Sequence, residues 1–538
     1  MRSRIISLLL AAAVLFSLAA CGSSTAAAPT PENPEQKNLP AETVSAETPA
    51  PTETPEAVPT PAEEKPVHGL AMLVGEEYDS TWNDALGKRI GSFRTGGVEL
   101  AASEAAEYPA LAAALKEACE KQSAALREYY DQLVADTSGM NEWSVYQVEE
   151  TAAVRRADTK VVSVLYSGSS YTGGAHGSAW YGGMSFYSDT GEKIQLKDLT
   201  PDVKALGSRV QKLLLEQYPD AYFYASAESE FAEEEQLAKI QFTVDLEGVT
   251  FYFGQYELAP YAEGMQIVTV PFYGNEDVLA EEFFPMAQHC VAQLTLDVPY
   301  LVDIDGDRRP ERLLLQGWPN EYGVYEQFSV TVDDRKTETG CWSYHLTPML
   351  FKLQEGKAAL YVQTLQENDW QGLLGCELTV AGAEYMNPFS AAFPMTWDEN
   401  RNIRSMMELP ANENQLWLVS RMSLLGTVSG GRSYSFDQWC SLAADSPWFM
   451  LTRPAQLTLK QELKAPLVDI DTAETLGEYV TLPAGTPVEW FRTDGETLCD
   501  LRLQDGRAVR VKVNMDQWPY TANDVKLEEL FDGILFAG

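Results

Sequence analysis

The 538 residues carry 79 acidic and 39 basic side chains, a formal net charge of -40, and only four histidines. An acidic excess of this size excludes nucleic acid as a partner and argues against direct adhesion to anionic lipid, while it suits a cationic partner or a divalent metal. The few histidines leave little material for a metalloenzyme or a histidine-based hydrolase. There is also no Gly-x-Ser-x-Gly elbow, His-Glu-x-x-His pair, P-loop or dinucleotide fingerprint, so a protein that is not an enzyme and requires no cofactor is expected.

The chain opens with two arginines in Met1-Arg2-Ser3-Arg4, followed by an apolar run from Ile5 to Leu18 that is short for a membrane span. Residues 1–20 therefore read as a signal peptide. The run closes on Leu18-Ala19-Ala20-Cys21, which resembles the lipobox of bacterial lipoproteins. That resemblance implies acyl chains on Cys21, each buried CH₂ contributing about 0.8 kcal/mol, and a place on the outer face of the cytoplasmic membrane or on the cell surface. An ordinary signal peptide with a chance cysteine is the plainer alternative.

Residues 21–66 form a tether in this reading: Gly22 to Pro66 holds ten prolines and no aromatic residue, so it has too little apolar surface to offset the entropy of ordering. Where polyproline-like, it spans about 3 Å per residue. Beyond it lie Cys119, Cys290, Cys341, Cys376, Cys440 and Cys499, scattered without a Cys-x-x-Cys. They permit disulfides outside the cell, with the pairing left open. Cys119 lies beside the apolar stripe of an expected helix, where a buried free thiol is the competing reading.

Residues 67–288 read as α+β, an antiparallel sheet with packed helices. A helix starts at Pro109 and presents Leu111, Leu115, Ala118, Leu126, Tyr129 and Leu133 on one face. Strands follow at 142–154, 159–167 and 178–187, the last two separated by the glycine-rich stretch Tyr171 to Gly177. Thr200 is expected to cap a second helix with Pro201 in its first position and Asp202 at the positive end of its dipole. Val203, Leu206, Val210, Leu213 and Leu214 mark its buried side. Two more strands are expected at 242–253, broken at Glu247-Gly248, and at 265–272.

Three blocks in this region occur in a fixed order: Tyr-x-Gly-Gly-Ala-His-Gly from Tyr171, Asp-Thr-Gly-Glu-Lys-Ile from Asp189, and Tyr-Glu-Leu-Ala-Pro-Tyr-Ala-Glu-Gly from Tyr256. Together they resemble the paired extracytoplasmic domains of unknown function found in the lysozyme-sensing sigma-V anti-sigma factor and, as a non-catalytic module, in a peptidoglycan deacetylase. The resemblance covers about 67–288. It implies an α+β fold and, in one member, binding of a host lysozyme, and it carries no numbered binding residues across. The anti-sigma factor signals through a transmembrane helix and a cytoplasmic part, neither of which is read in this sequence. The expectation is a tethered binding module for a cationic protein such as a lysozyme, with a peptidoglycan or glycan accessory as the alternative and a hydrolase third.

Residues 289–454 read as a mostly β domain of short strands. Residues 455–538 read as a small β domain, an SH3-like barrel with hairpin turns at Asp494-Gly495 and Asp505-Gly506. Before these strands lies the sharpest motif, Asp303-Ile304-Asp305-Gly306-Asp307-Arg308-Arg309-Pro310-Glu311. Alternate carboxylates on a tight loop suit a hard cation, and the spacing resembles the calcium loops of integrin-type β-propeller repeats. That resemblance makes Asp303, Asp305, Asp307 and Glu311 candidate Ca²⁺ ligands, with Arg309 offering a carbonyl. Arg308 stands where such loops carry glycine, and an acidic turn neutralised by its own arginines is the alternative.

A second candidate ligand surface is the loop holding Tyr171, Gly173, Gly174 and His176, where glycines admit a partner to the backbone and the imidazole donates or accepts near neutral pH. Its alternative is a wide hairpin with a structural histidine. Tyr252, Tyr256, Tyr261 and Tyr273 offer a stacking platform, or core and cross-strand packing.

Overall fold

In the computed structural model, the described residues are 66–83, 87–135, 145–353, 356–367, 370–386, 388–397 and 404–536. The expected signal peptide, Cys21 and the tether, apart from Pro66, lie outside them, as do residues 142–144 of the first expected strand. Val67–Gly538 forms one compact unit. It is mostly β, 49% strand against 17% helix, with sheet plus helices first and mostly sheet afterwards. Among the described residues no helix is long and apolar enough to cross a membrane.

The first sheet holds β1 (Met72–Asn83), β2 (Lys88–Leu100), β3 (Tyr146–Ala157), β4 (Val161–Tyr171) and β5 (Ser178–Tyr187). Strands Met395–Trp397 and Arg404–Leu409 complete it by pairing alongside β1, with Met72 opposite Leu409. The sheet is mixed, not antiparallel: β2 and β3 run parallel, Gly91 opposite Tyr146. Parallel neighbours need a long crossover, and helix α1 (Pro109–Ala135) provides it.

Leu111, Leu115, Leu126 and Tyr130 are the buried stripe of α1. The first two join Val98, Val154 and Val164 in one core cluster, and the last two join Phe93 and Val148 in another. Each buried leucine contributes about 1.5–3 kcal/mol.

Helix α2 (Val203–Gln217) packs Leu206, Val210 and Leu214 into a core shared with β6 (Gln241–Val244), β7 (Gly248–Phe253) and β8 (Gln266–Pro271). Its cap is Asp202, whose carboxylate accepts the N–H groups of Lys204 and Ala205 at 3.0 and 3.1 Å. Thr200 instead accepts the Asp202 N–H, so Pro201 precedes the cap rather than opening the helix.

Downstream, a five-stranded and a four-stranded sheet enclose a core of Leu313, Leu315, Phe328, Val330, Leu350, Leu360 and Cys376. The final strands do not close a barrel. Both expected hairpins form, with Gly495 and Gly506 at φ 83° and 86°, but their strands belong to a 12-stranded sheet that begins at Leu416–Ser423. All six described cysteines are free thiols. Burial pushes Cys290 up to about 12 and Cys341 and Cys440 up to about 11, which leaves them protonated and unreactive at neutral pH.

Candidate functional site

The β4–β5 hairpin closes through Tyr171 to Gly177. Tyr171 donates its hydroxyl to the Gly174 carbonyl at 3.1 Å, and Gly173 takes φ 82°, a conformation that favours a residue without a Cβ. His176 is exposed, and its ring lies 4.1 Å from that of Tyr261 at 31°. The Tyr261 hydroxyl donates to the Gly177 carbonyl at 3.3 Å. Gln255 accepts the Ala179 N–H, also at 3.3 Å, so the segment between β7 and β8 is pinned along the base of the hairpin.

Tyr256 sits at φ 65° with its ring 5.8 Å from Tyr261 and 59% exposed. A third segment joins from behind α2: the N–H groups of Tyr224 and Ala225 both donate to the Leu258 carbonyl, and the Tyr222 N–H donates to Glu263. Tyr222 and Tyr224 are 65% and 50% exposed. They were absent from the sequence reading because their local signal is only an irregular, proline-flanked stretch. What brings them here is the long-range pairing with Leu258.

The surroundings are strongly acidic. From Tyr218 to Gly264 there are ten carboxylates and one base, Lys239. Asp245 and Glu247 are buried; most of the others are exposed, and Glu263 lies within the surface itself. Burial raises the Glu257 carboxyl above the ordinary range, a donated hydrogen bond from the Gly254 N–H opposes this, and nearby Glu230 adds to the rise. Tyrosine and imidazole rings rimmed by carboxylates attract lysine and arginine through both ring faces and charge.

The four tyrosines read from the sequence are divided. Tyr252 is fully buried and hydrogen-bonds Thr243 at 2.8 Å. Tyr273 is half-buried beneath the Arg308 guanidinium, 5.6 Å from its ring centre. Tyr256 and Tyr261 form the surface with His176.

On the acidic loop, Asp303, Asp305 and Asp307 bring one carboxylate oxygen each within 4.8 Å of one another, close enough for one ion to touch all three. Asp303 accepts the Gly306 and Arg308 N–H groups, Asp305 accepts that of Asp307, and Asp307 that of Arg309. Glu311 stands apart from the three and accepts the Ile304 N–H at 3.0 Å. Arg308 adopts φ 67°, the conformation glycine supplies in the loops this one resembles. Its guanidinium lies over the Tyr273 ring. Gly356 packs against the loop so closely that a Cβ there would lie 2.9 Å from the Asp305 carbonyl.

Comparison with known proteins places one part of this surface. Residues 197–273 match the family described as a protein of unknown function, DUF3298, so the chain carries a DUF3298 domain. Two solved structures are similar at low level. A DUF3298 family protein from Pseudomonas aeruginosa is 16% identical with a TM-score of 0.29, covering 41% of this chain and 96% of its own. A member of the same family from Bacteroides fragilis is 16% identical with a TM-score of 0.24, covering 38% and 94%. No curated protein matches.

Proposed function

We propose that the protein is a lipid-anchored, extracytoplasmic binding module, not an enzyme, and that its partner is a cationic protein of the lysozyme kind. The observation that carries this reading is the surface of His176, Tyr222, Tyr224, Tyr256 and Tyr261, which three segments build and most of which belongs to a stretch where exposed carboxylates, Glu263 among them, outnumber the one lysine. The three sequence blocks shared with the extracytoplasmic domains of the sigma-V anti-sigma factor and the deacetylase support it. Cys21 and the tether would place this surface outside the membrane.

Capture of lysozyme by the purified full chain at low salt, weakening as salt rises past a Debye length of about 10 Å near 0.1 M, is the expected result. Absence of capture at low salt sinks the reading. A second site follows from the acidic loop, where the convergence of Asp303, Asp305 and Asp307 favours calcium as a structural ion.

A further inference from the structure

The four-stranded sheet carries a second surface, unrelated to the DUF3298 domain. Its strands include β11 (Glu311–Gln316), β12 (Tyr325–Val332) and β13 (Arg335–Ser343). Just past β11, Pro319 bridges Tyr325, and Tyr325 in turn pairs with Ser343 across β13. Tyr325 packs toward the core and Ser343 is buried. The pairing is irregular here, with a register shift between Tyr325 and Gln327, so the outward placement of Trp318, Glu326 and Trp342, each adjoining one of these paired residues, is read from their exposure. Trp318 is 65% and Trp342 42% accessible, and Glu326 is exposed.

The carboxylate between them is held in place. Asn320 donates its side-chain amide to Glu326 at 2.9 Å, and its own carbonyl oxygen accepts the N–H groups of Tyr322 and Val324 at 2.9 and 3.1 Å. Trp342 is braced edge-to-face by Tyr344, 5.2 Å between ring centres.

We infer that this row binds a glycan, a strand of linked pyranose rings. Each indole offers a flat apolar face for the C–H side of a sugar ring, and the fixed Glu326–Asn320 pair supplies acceptor and donor to the hydroxyls between them. The pattern fits a sugar better than a cationic peptide, because the row presents a single carboxylate among exposed indoles. It fits a sugar better than a lipid surface, because the row itself holds no lysine or arginine to meet a phosphate.

The test is intrinsic tryptophan fluorescence of the full chain titrated with chitohexaose, cellohexaose and soluble peptidoglycan fragments. Saturable quenching by at least one glycan is expected, weakened at least tenfold in Trp318→Ala and in Trp342→Ala and unchanged in Trp439→Ala, an exposed tryptophan outside the row. All three variants remove exposed side chains, and matching melting temperatures would show that they fold. Overturning results are no saturable response from any of the glycans, equal affinity in the two row variants, or an equal loss in Trp439→Ala. Loss of lysozyme capture in Trp318→Ala with glycan binding intact would assign the row to the protein partner and also overturn the inference. Glycan binding and lysozyme capture are separate readouts, so either proposal can fail alone.

Discussion

At the scale of single residues, Glu150 is a carboxyl whose burial sets its chemistry. It is buried with no basic partner among the described residues, accepting hydrogen bonds from Trp180 at 2.7 Å and Gln122 at 3.0 Å. Burial raises its carboxyl above the ordinary range, and the two donors offset only part of this. The native state therefore keeps this proton to a higher pH than the unfolded chain does, and stability falls as pH climbs from the unfolded carboxyl value, about 4.3, through the raised one. Glu150→Gln removes that titration while keeping an acceptor for Trp180. Thermal melts should show the variant gaining on the wild type as pH rises above about 4.3, and a difference that stays flat with pH would contradict the assignment. Two other places show where the sequence expectation and the structure differ. On α1 the fully buried tyrosine is Tyr130, four on from Leu126, with its hydroxyl 2.6 Å from Thr81, while the expected Tyr129 packs only partly buried against the same cluster. Thr200 and Asp202 are both good caps by type, and only the path of the chain before α2 decides between them.

At the scale of elements, segments whose own residues specify them were legible. The strand at 178–187 matches β5, the break at Glu247-Gly248 separates β6 from β7, and the glycines of both C-terminal turns take the positive φ that Asp-Gly hairpins need. β1 was not legible, because Glu76, Glu77, Tyr78, Asp79 and Ser80 give no apolar alternation and one of its two edges pairs with Arg404–Leu409, far along the chain. The barrel expectation failed for the same reason: strand patterns and turns do not say whether an edge closes on itself or extends into a larger sheet. The acidic loop was legible as a candidate, but its chemistry was only partly so. Spacing nominated four carboxylates, and the backbone brings Asp303, Asp305 and Asp307 together while Glu311 is held by Ile304. An ion bound only by the native state must stabilise it, so millimolar Ca²⁺ should raise the melting temperature and Asp305→Ala should abolish the rise. An unchanged melting temperature on adding Ca²⁺ would leave an acidic turn.

At the scale of the whole molecule, one buried ion pair ties the DUF3298 domain to its neighbours. Arg155 on β3 meets Asp245 in the β6–β7 turn at 2.5 Å, donates to the Pro299 carbonyl at 3.1 Å and lies 4.3 Å from the ring centre of Tyr300. Asp245 is also held by the hydroxyls of Thr243 and Thr250. Removing the carboxylate strands a fully buried guanidinium, so Asp245→Ala should cost about 3–5 kcal/mol in denaturant unfolding, and a cost below about 1 kcal/mol would show that the pair does not lock these parts together. Such a frame explains how loops from three separate segments hold His176 and Tyr261 within stacking distance. The most direct test of the central claim is calorimetric titration of lysozyme into the wild-type chain and into a Tyr256→Ala, Tyr261→Ala double variant, at low and at raised salt. The account predicts salt-sensitive binding by the wild type, weakened at least tenfold by the double substitution with folding unchanged, and equal affinity in the two proteins would contradict it.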